Sequence, residues 1–64
     1  MAYLTVDSDG TEKIFEYYPK KLKLIWFTLN IDDPMCIYLP KGTIKKITGK
    51  DLTFDDDPIE LEAD

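Results

Sequence analysis

Histidine and arginine are absent from this 64-residue chain, and cysteine occurs once, as Cys36. Each absence closes a route. Without histidine the usual general acid–base near neutral pH is missing, and Cys36 has no imidazole to activate it. Flanked by Met35 and Ile37, it reads as a buried, inert thiol. One thiol makes no intrachain disulfide and no zinc-binding cluster. The lack of arginine removes the residue best suited to bidentate phosphate contacts. No apolar run approaches the ~20 residues of a membrane span, since the longest, LKLIWFTL, covers residues 22–29. The first ten residues, MAYLTVDSDG, have neither the basic region nor the apolar stretch of a signal peptide. The expectation is one cytoplasmic domain over residues 1–64, with no membrane, no cofactor, no metal and no catalytic residue. Its acidic end, 55–64, is expected to be partly disordered.

What is present is apolar material and unevenly placed charge. Hydrophobic residues make up 44% of the chain, too many for intrinsic disorder. A domain this small nevertheless buries only about 60% of the surface its unfolded chain exposes, so its core is marginal. The net charge of −5 is segregated: −3 over residues 1–19, +5 over 20–50, and −7 over 51–64. The neutral explanation is a lysine-rich middle and an acidic end that keep the surface soluble.

Period-two alternation of Leu4 and Val6 with Tyr3 and Thr5, then Asp9-Gly10, predicts a β-hairpin. Its return strand would hold Ile14, Phe15, Tyr17 and Tyr18, and Pro19 would end it. Residues 22–29 then read as one strand, apolar on both faces, which calls for a central position or a covering partner. Asn30 to Pro34 is a turn, and residues 35–39 a fourth strand. A short helix is expected over 40–48, with Pro40 at its start, Ile44 and Ile47 on one face, and Gly49 closing it. Thr53 and Asp56 have capping-box spacing. Ile59 and Leu61 alternate with Glu60 and Glu62, as in an edge strand that turns its charges outward. The fold class is α+β: a small antiparallel sheet of four to five strands, an N-terminal hairpin and meander, with one short helix. The expected core is Leu4, Val6, Ile14, Leu24, Trp26, Ile37, Leu39, Ile44, Ile47, Leu52 and Phe54.

Three stretches imitate functional motifs. KGTIKKITGKD, residues 41–51, has the ingredients of a phosphate loop. Six residues separate Gly42 from Gly49, however, and Asp51 stands where Ser or Thr should hold magnesium. A short helix with a glycine stop explains the same letters. DSDG at residues 7–10 hints at a calcium loop, but the sixth and twelfth positions are Glu12 and Tyr18, not glycine and glutamate. Asp55, Asp56 and Asp57 are most simply a solvated turn.

Three functions remain, all without catalysis. The first is a protein-interaction or structural accessory protein, with self-association as a homodimer one expectation and the partner otherwise unknown. Its surface would be Leu22, Leu24, Ile25, Trp26 and Phe27. The second is a single-stranded nucleic-acid binder in which Tyr17 and Tyr18 stack on bases beside Lys20, Lys21 and Lys23. A sequence pI near 4.5 opposes it. The third is an acidic DNA mimic built on residues 51–64.

The second half also carries a pattern: Leu39 to Ile44 (LPKGTI), Gly49-Lys50, Leu52 to Phe54 (LTF) and Asp57 to Ile59 (DPI). In these residues the chain resembles a family of uncharacterised small phage- and prophage-type proteins of gut bacteria. It departs from the family by carrying the apolar run at residues 22–29. The resemblance implies a phage-type accessory role and brings no catalytic residue with it.

Overall fold

The opening alternation becomes strand β1, Ala2–Val6, and the return run becomes β2, Glu12–Phe15, in a computed structural model that describes residues 2–29 and 36–62. The strands pair antiparallel, with Leu4 opposite Ile14 and Val6 opposite Glu12. In the loop, Gly10 N–H donates to the Asp7 carbonyl and Asp7 N–H to the Thr11 carbonyl, each at 2.9 Å. Gly10 sits at φ 89°, left-handed backbone that a Cβ would strain. A tight turn followed by one left-handed residue is a common hairpin closure. The return strand stops at Phe15, so Tyr17 and Tyr18 lie beyond it, contrary to expectation. The chain leaves the sheet there, passing through the fully buried Pro19.

Residues 22–29 do not form one strand. They contribute to a separate two-stranded ribbon, β3 (Lys20–Leu22) and β4 (Ile25–Phe27), with Lys20 opposite Phe27 and Leu22 opposite Ile25. Lys23, at φ 52°, is the only non-glycine residue with positive φ among those described, and the chain reverses at Lys23-Leu24. The reversal changes which residues share a face. Read as one strand, 22, 24 and 26 fall together; across a two-residue turn, 20, 22, 25 and 27 do.

The chain then returns to the main sheet as β5 (Ile37–Leu39), enters helix α1 (Thr43–Thr48), and finishes as β6 (Ile59–Leu61). The sheet order is β5-β2-β1-β6, antiparallel throughout. This is not the expected meander, because the last strand comes back beside the first. The strand expected over 35–39 is three residues long, and half-buried Cys36 precedes it. Met35 and the turn expected at 30–34 lie outside the described residues. Helix α1 is shorter than 40–48 but ends as expected, with Gly49 left-handed at φ 76° and its N–H on the Lys45 carbonyl at 2.8 Å. Pro40 precedes the helix, and its carbonyl accepts the Thr43 hydroxyl at 2.6 Å.

The core lies on one face of the sheet. Leu4, Val6 and Ile44 are buried together, with Ile14, Leu39, Leu52, Ile59 and Leu61 packed around them. A fully buried side chain of this kind contributes roughly 1.5–3 kcal/mol. Five residues expected in the core are outside this cluster: Trp26 and Phe54 meet each other elsewhere, and three are exposed. Leu24 is 65% exposed at the ribbon tip, Ile37 64% exposed on edge strand β5, and Ile47 56% exposed on the helix. Ile47 lies about 60° around the axis from Ile44, and so short a helix touches the sheet through one residue. Phe15, not expected there, is buried on the opposite face with Thr5 and Lys13.

Candidate interaction surface

Charge on the inner strands sets the arrangement of the molecule. Glu12 and Lys13 are neighbours in β2, so their side chains leave opposite faces of the sheet. Each does a structural job. On the core face, the buried Glu12 carboxylate accepts the N–H groups of Gly42, at 2.6 Å, and Ile44, at 2.8 Å. Glycine at the N-cap has no side chain to offer α1, and Glu12 caps the helix from across the core. A carboxylate at the positive end of the helix is electrostatically favourable.

On the other face Lys13 forms a buried ion pair with Asp7, Nζ to Oδ2 2.7 Å, each side chain 6% exposed. The second Asp7 oxygen accepts the Trp26 N–H at 2.9 Å. Lys13 Nζ also donates to the Trp26 carbonyl at 3.3 Å and lies 5.3 Å from the centroid of the Tyr38 ring. Ser8 N–H donates to the Leu24 carbonyl at 3.0 Å. The first hairpin thus grips the backbone of the second at Leu24 and Trp26. Burial pulls the Lys13 ammonium down, and the hydrogen bond and charge of Asp7 outweigh it, so its pKa stands above the ordinary lysine value. A lysine held in its charged form is a poor base or nucleophile, and this pair acts as a clamp.

The clamp fixes which side of the ribbon looks outward. Trp26 and its strand partner Lys21 face the body of the protein. The Trp26 ring meets Phe54 edge-on at 6.4 Å, and the Lys21 ammonium sits over Phe54 at 4.3 Å and over Trp26 at 5.3 Å. The opposite face carries Lys20, Leu22, Ile25 and Phe27. Leu22 and Ile25 are exposed, Phe27 is half-buried, and Leu24 projects at the turn.

The residues expected in an interaction surface therefore divide. Leu22, Leu24 and Ile25 form a contiguous exposed strip, and Phe27 borders it. Trp26 does not belong to it, because its backbone is claimed by Asp7 and its ring by Phe54. The nucleic-acid set divides too. Tyr17, Tyr18, Lys20 and Lys23 are exposed, but the Tyr18 ring packs edge-on against Tyr3 at 5.2 Å and Lys21 is committed to two rings.

Next to the ribbon, the segment after α1 forms a concave surface. Asp56 accepts both the Thr53 N–H, at 2.8 Å, and the Thr53 hydroxyl, at 3.1 Å, which folds residues 53–56 into a turn. Between this turn and β6 lies an open groove of about 530 Å³ lined by Leu52, Pro58 and Ile59, by the acids Asp51, Asp56, Asp57 and Glu60, and by Lys50; Asp51 is paired with Lys45 at 3.0 Å. Among the described residues, no three metal-ligating side chains converge, and no helix is long and apolar enough to cross a membrane.

Asp7, Glu12 and Lys13 escaped the sequence reading. The signal was there: Glu12 shares a strand face with Ile14, and Lys13 shares one with Phe15. Two charged residues inside a strand with apolar residues on both faces must each be buried or lie at an edge. Comparison with protein-family models, with curated proteins and with solved structures gives no match.

Proposed function

We propose that this chain is a non-enzymatic protein-interaction module, an accessory protein of the phage type, which presents the outer face of the β3–β4 ribbon to a protein partner. One observation carries the reading. A ribbon of two three-residue strands is marginal by itself, and this one is pinned by a buried ion pair while its outward face keeps Leu22, Leu24 and Ile25 in water. Most solvent-facing ribbons carry polar residues there, and a contiguous exposed apolar strip is a mark of contact surfaces. The charges beside that outward face are lysine, Lys20 and Lys23, with no acid between Tyr17 and Leu29. That pattern suits an apolar contact with a basic rim.

The test is photo-crosslinking inside cells. A photoreactive amino acid at position 24 or 25 is expected to form discrete protein adducts, while the same group at Glu16, exposed just past the end of β2, does not. Equal labelling from all three positions would remove the proposal. A mobility shift with single-stranded oligonucleotides at low salt addresses the competing reading. Retardation that disappears on Lys20→Glu/Lys23→Glu would favour nucleic acid over protein.

A further inference from the structure

We propose that the partner of the ribbon is a second copy of this chain, with each ribbon seated in the acidic groove of the other. The proposal rests on the interaction reading above and adds its occupant. Two surfaces of the monomer are complementary in both apolar content and charge. The ribbon offers Leu22, Leu24 and Ile25 rimmed by lysines. The groove offers Leu52, Pro58 and Ile59 among Asp56, Asp57 and Glu60, with Lys50 the one cation of its lining and Asp51 already paired with Lys45, and its volume of about 530 Å³ accommodates more than one side chain. Among the described residues, no segment outside 20–29 joins exposed leucines to a run of lysines free of acid, and none outside 50–60 joins several acids to an apolar lining.

Lys21 lies over Phe54, in the turn that borders the groove, so the inner face of the ribbon is next to the groove, and the apolar strip is on the ribbon's other face. In a two-fold dimer the ribbon of each copy lies in the groove of the other, and the contact closes. Two copies at −5 each repel one another at long range, whereas the lysine and carboxylate rims attract within the Debye length of about 8 Å at physiological salt. Association driven by these rims weakens as salt rises.

Sedimentation equilibrium tests the assignment. The unmodified chain is expected to dimerise, with a dissociation constant at least tenfold weaker at about 0.5 M salt than at about 0.05 M. Lys20→Glu/Lys23→Glu and Asp57→Lys/Glu60→Lys are each expected to be monomeric, because both contacts then set like charges together. Mixed in equal amounts, the two variants are expected to recover a dimer, since one contact is native and the other fully reversed. Far-UV circular dichroism establishes that each variant is folded, and Leu24→Ser gives a second, uncharged disruption. A monomeric parent chain, a mixture that stays monomeric, or a dimer indifferent to Leu24→Ser overturns this assignment. Adducts to a different protein in the crosslinking experiment would then still uphold the interaction reading, and the two ideas fail separately.

Discussion

The molecule contains two β-hairpins that its sequence makes in different ways. The first, β1–β2, turns on Asp9-Gly10, becomes the centre of a four-stranded sheet and is covered on both faces. The second, β3–β4, turns on Lys23-Leu24, stays a two-stranded ribbon and is covered on one face. Apolar packing against Ile44 holds the first in place, and polar contacts to Asp7 and Lys13 hold the second. Polar satisfaction is also less complete on the ribbon side. Thr5 Oγ1 and Trp26 Nε1 are buried there without a hydrogen-bond partner, and each such group costs about 1–3 kcal/mol. One hairpin is the foundation and the other is an attachment, so the attachment should come away first.

The largest effect is expected from cutting the clamp. Asp7→Ala leaves Lys13 charged and buried without its partner and orphans the Trp26 N–H. Breaking a buried pair on one side costs about 3–5 kcal/mol, which is comparable to the whole stability of a 64-residue domain at roughly 0.05–0.15 kcal/mol per residue. Trp26 is the only tryptophan, so its fluorescence reports ribbon docking while far-UV circular dichroism reports the sheet. Urea unfolding should show the fluorescence change well before the dichroism change, or an unfolded protein outright. Asp7→Leu/Lys13→Met removes both charges and should recover the part of the loss that comes from the unpaired charge, while the Trp26 N–H stays without its acceptor. Coincident transitions at unchanged urea concentration would show that the pair is not what holds the ribbon.

Below that comes the cap on the opposite face. Glu12→Ala removes the acceptor for two buried N–H groups and should cost about 1–3 kcal/mol. Because α1 packs on the sheet, this loss should move both optical signals together, unlike the loss at Asp7. Smaller still is the pH dependence of the clamp. The pKa of Lys13 is raised in the folded state, so its contribution is complete below the ordinary lysine value and fades as pH climbs above that value through the raised one. Alkaline titration should therefore release the Trp26 signal before the sheet dichroism. Lys13→Met should abolish that alkaline step.

Much of the first hairpin was legible and little of the second, for reasons that lie in particular residues. Alternation at Leu4 and Val6 and the Asp-Gly pair announce β1–β2, Gly49 announces the end of α1, and Ile59 and Leu61 announce an edge strand. The ribbon turn uses lysine in left-handed backbone, and lysine carries no such signal. With the turn unseen, residues 22–29 kept a single alternation across a point where it reverses. They then looked apolar on both faces, and Leu24 was assigned to a core it never enters. In the exposed strip Leu22, Leu24 and Ile25 are all legible as surface candidates, whereas the burial of Trp26, expected beside them, depends on Asp7, nineteen residues away. Glu12 and Lys13 carry no structural role in the sequence alone because the elements that neutralise Glu12 and dock on Lys13 are distant in the chain. The Glu12 partners, Gly42 and Ile44, are 30 and 32 residues on.

The finest distinction between the hairpins lies in their turns. Gly10 occupies its left-handed position without strain, whereas Lys23 does so at φ 52° against its own Cβ. A left-handed conformation costs an ordinary residue roughly 1–2 kcal/mol. Lys23→Gly relieves that cost but loosens the unfolded chain, which returns part of the gain. The net expectation is a ribbon more stable by about 0.5–1 kcal/mol, seen as a later fluorescence transition in urea with the sheet dichroism nearly unmoved. Gly10→Ala should shift both signals to lower urea, since its hairpin is the one on which everything else is assembled. If Lys23→Gly instead loosens the ribbon, the lysine side chain itself holds the turn, and strain is not what separates the two hairpins.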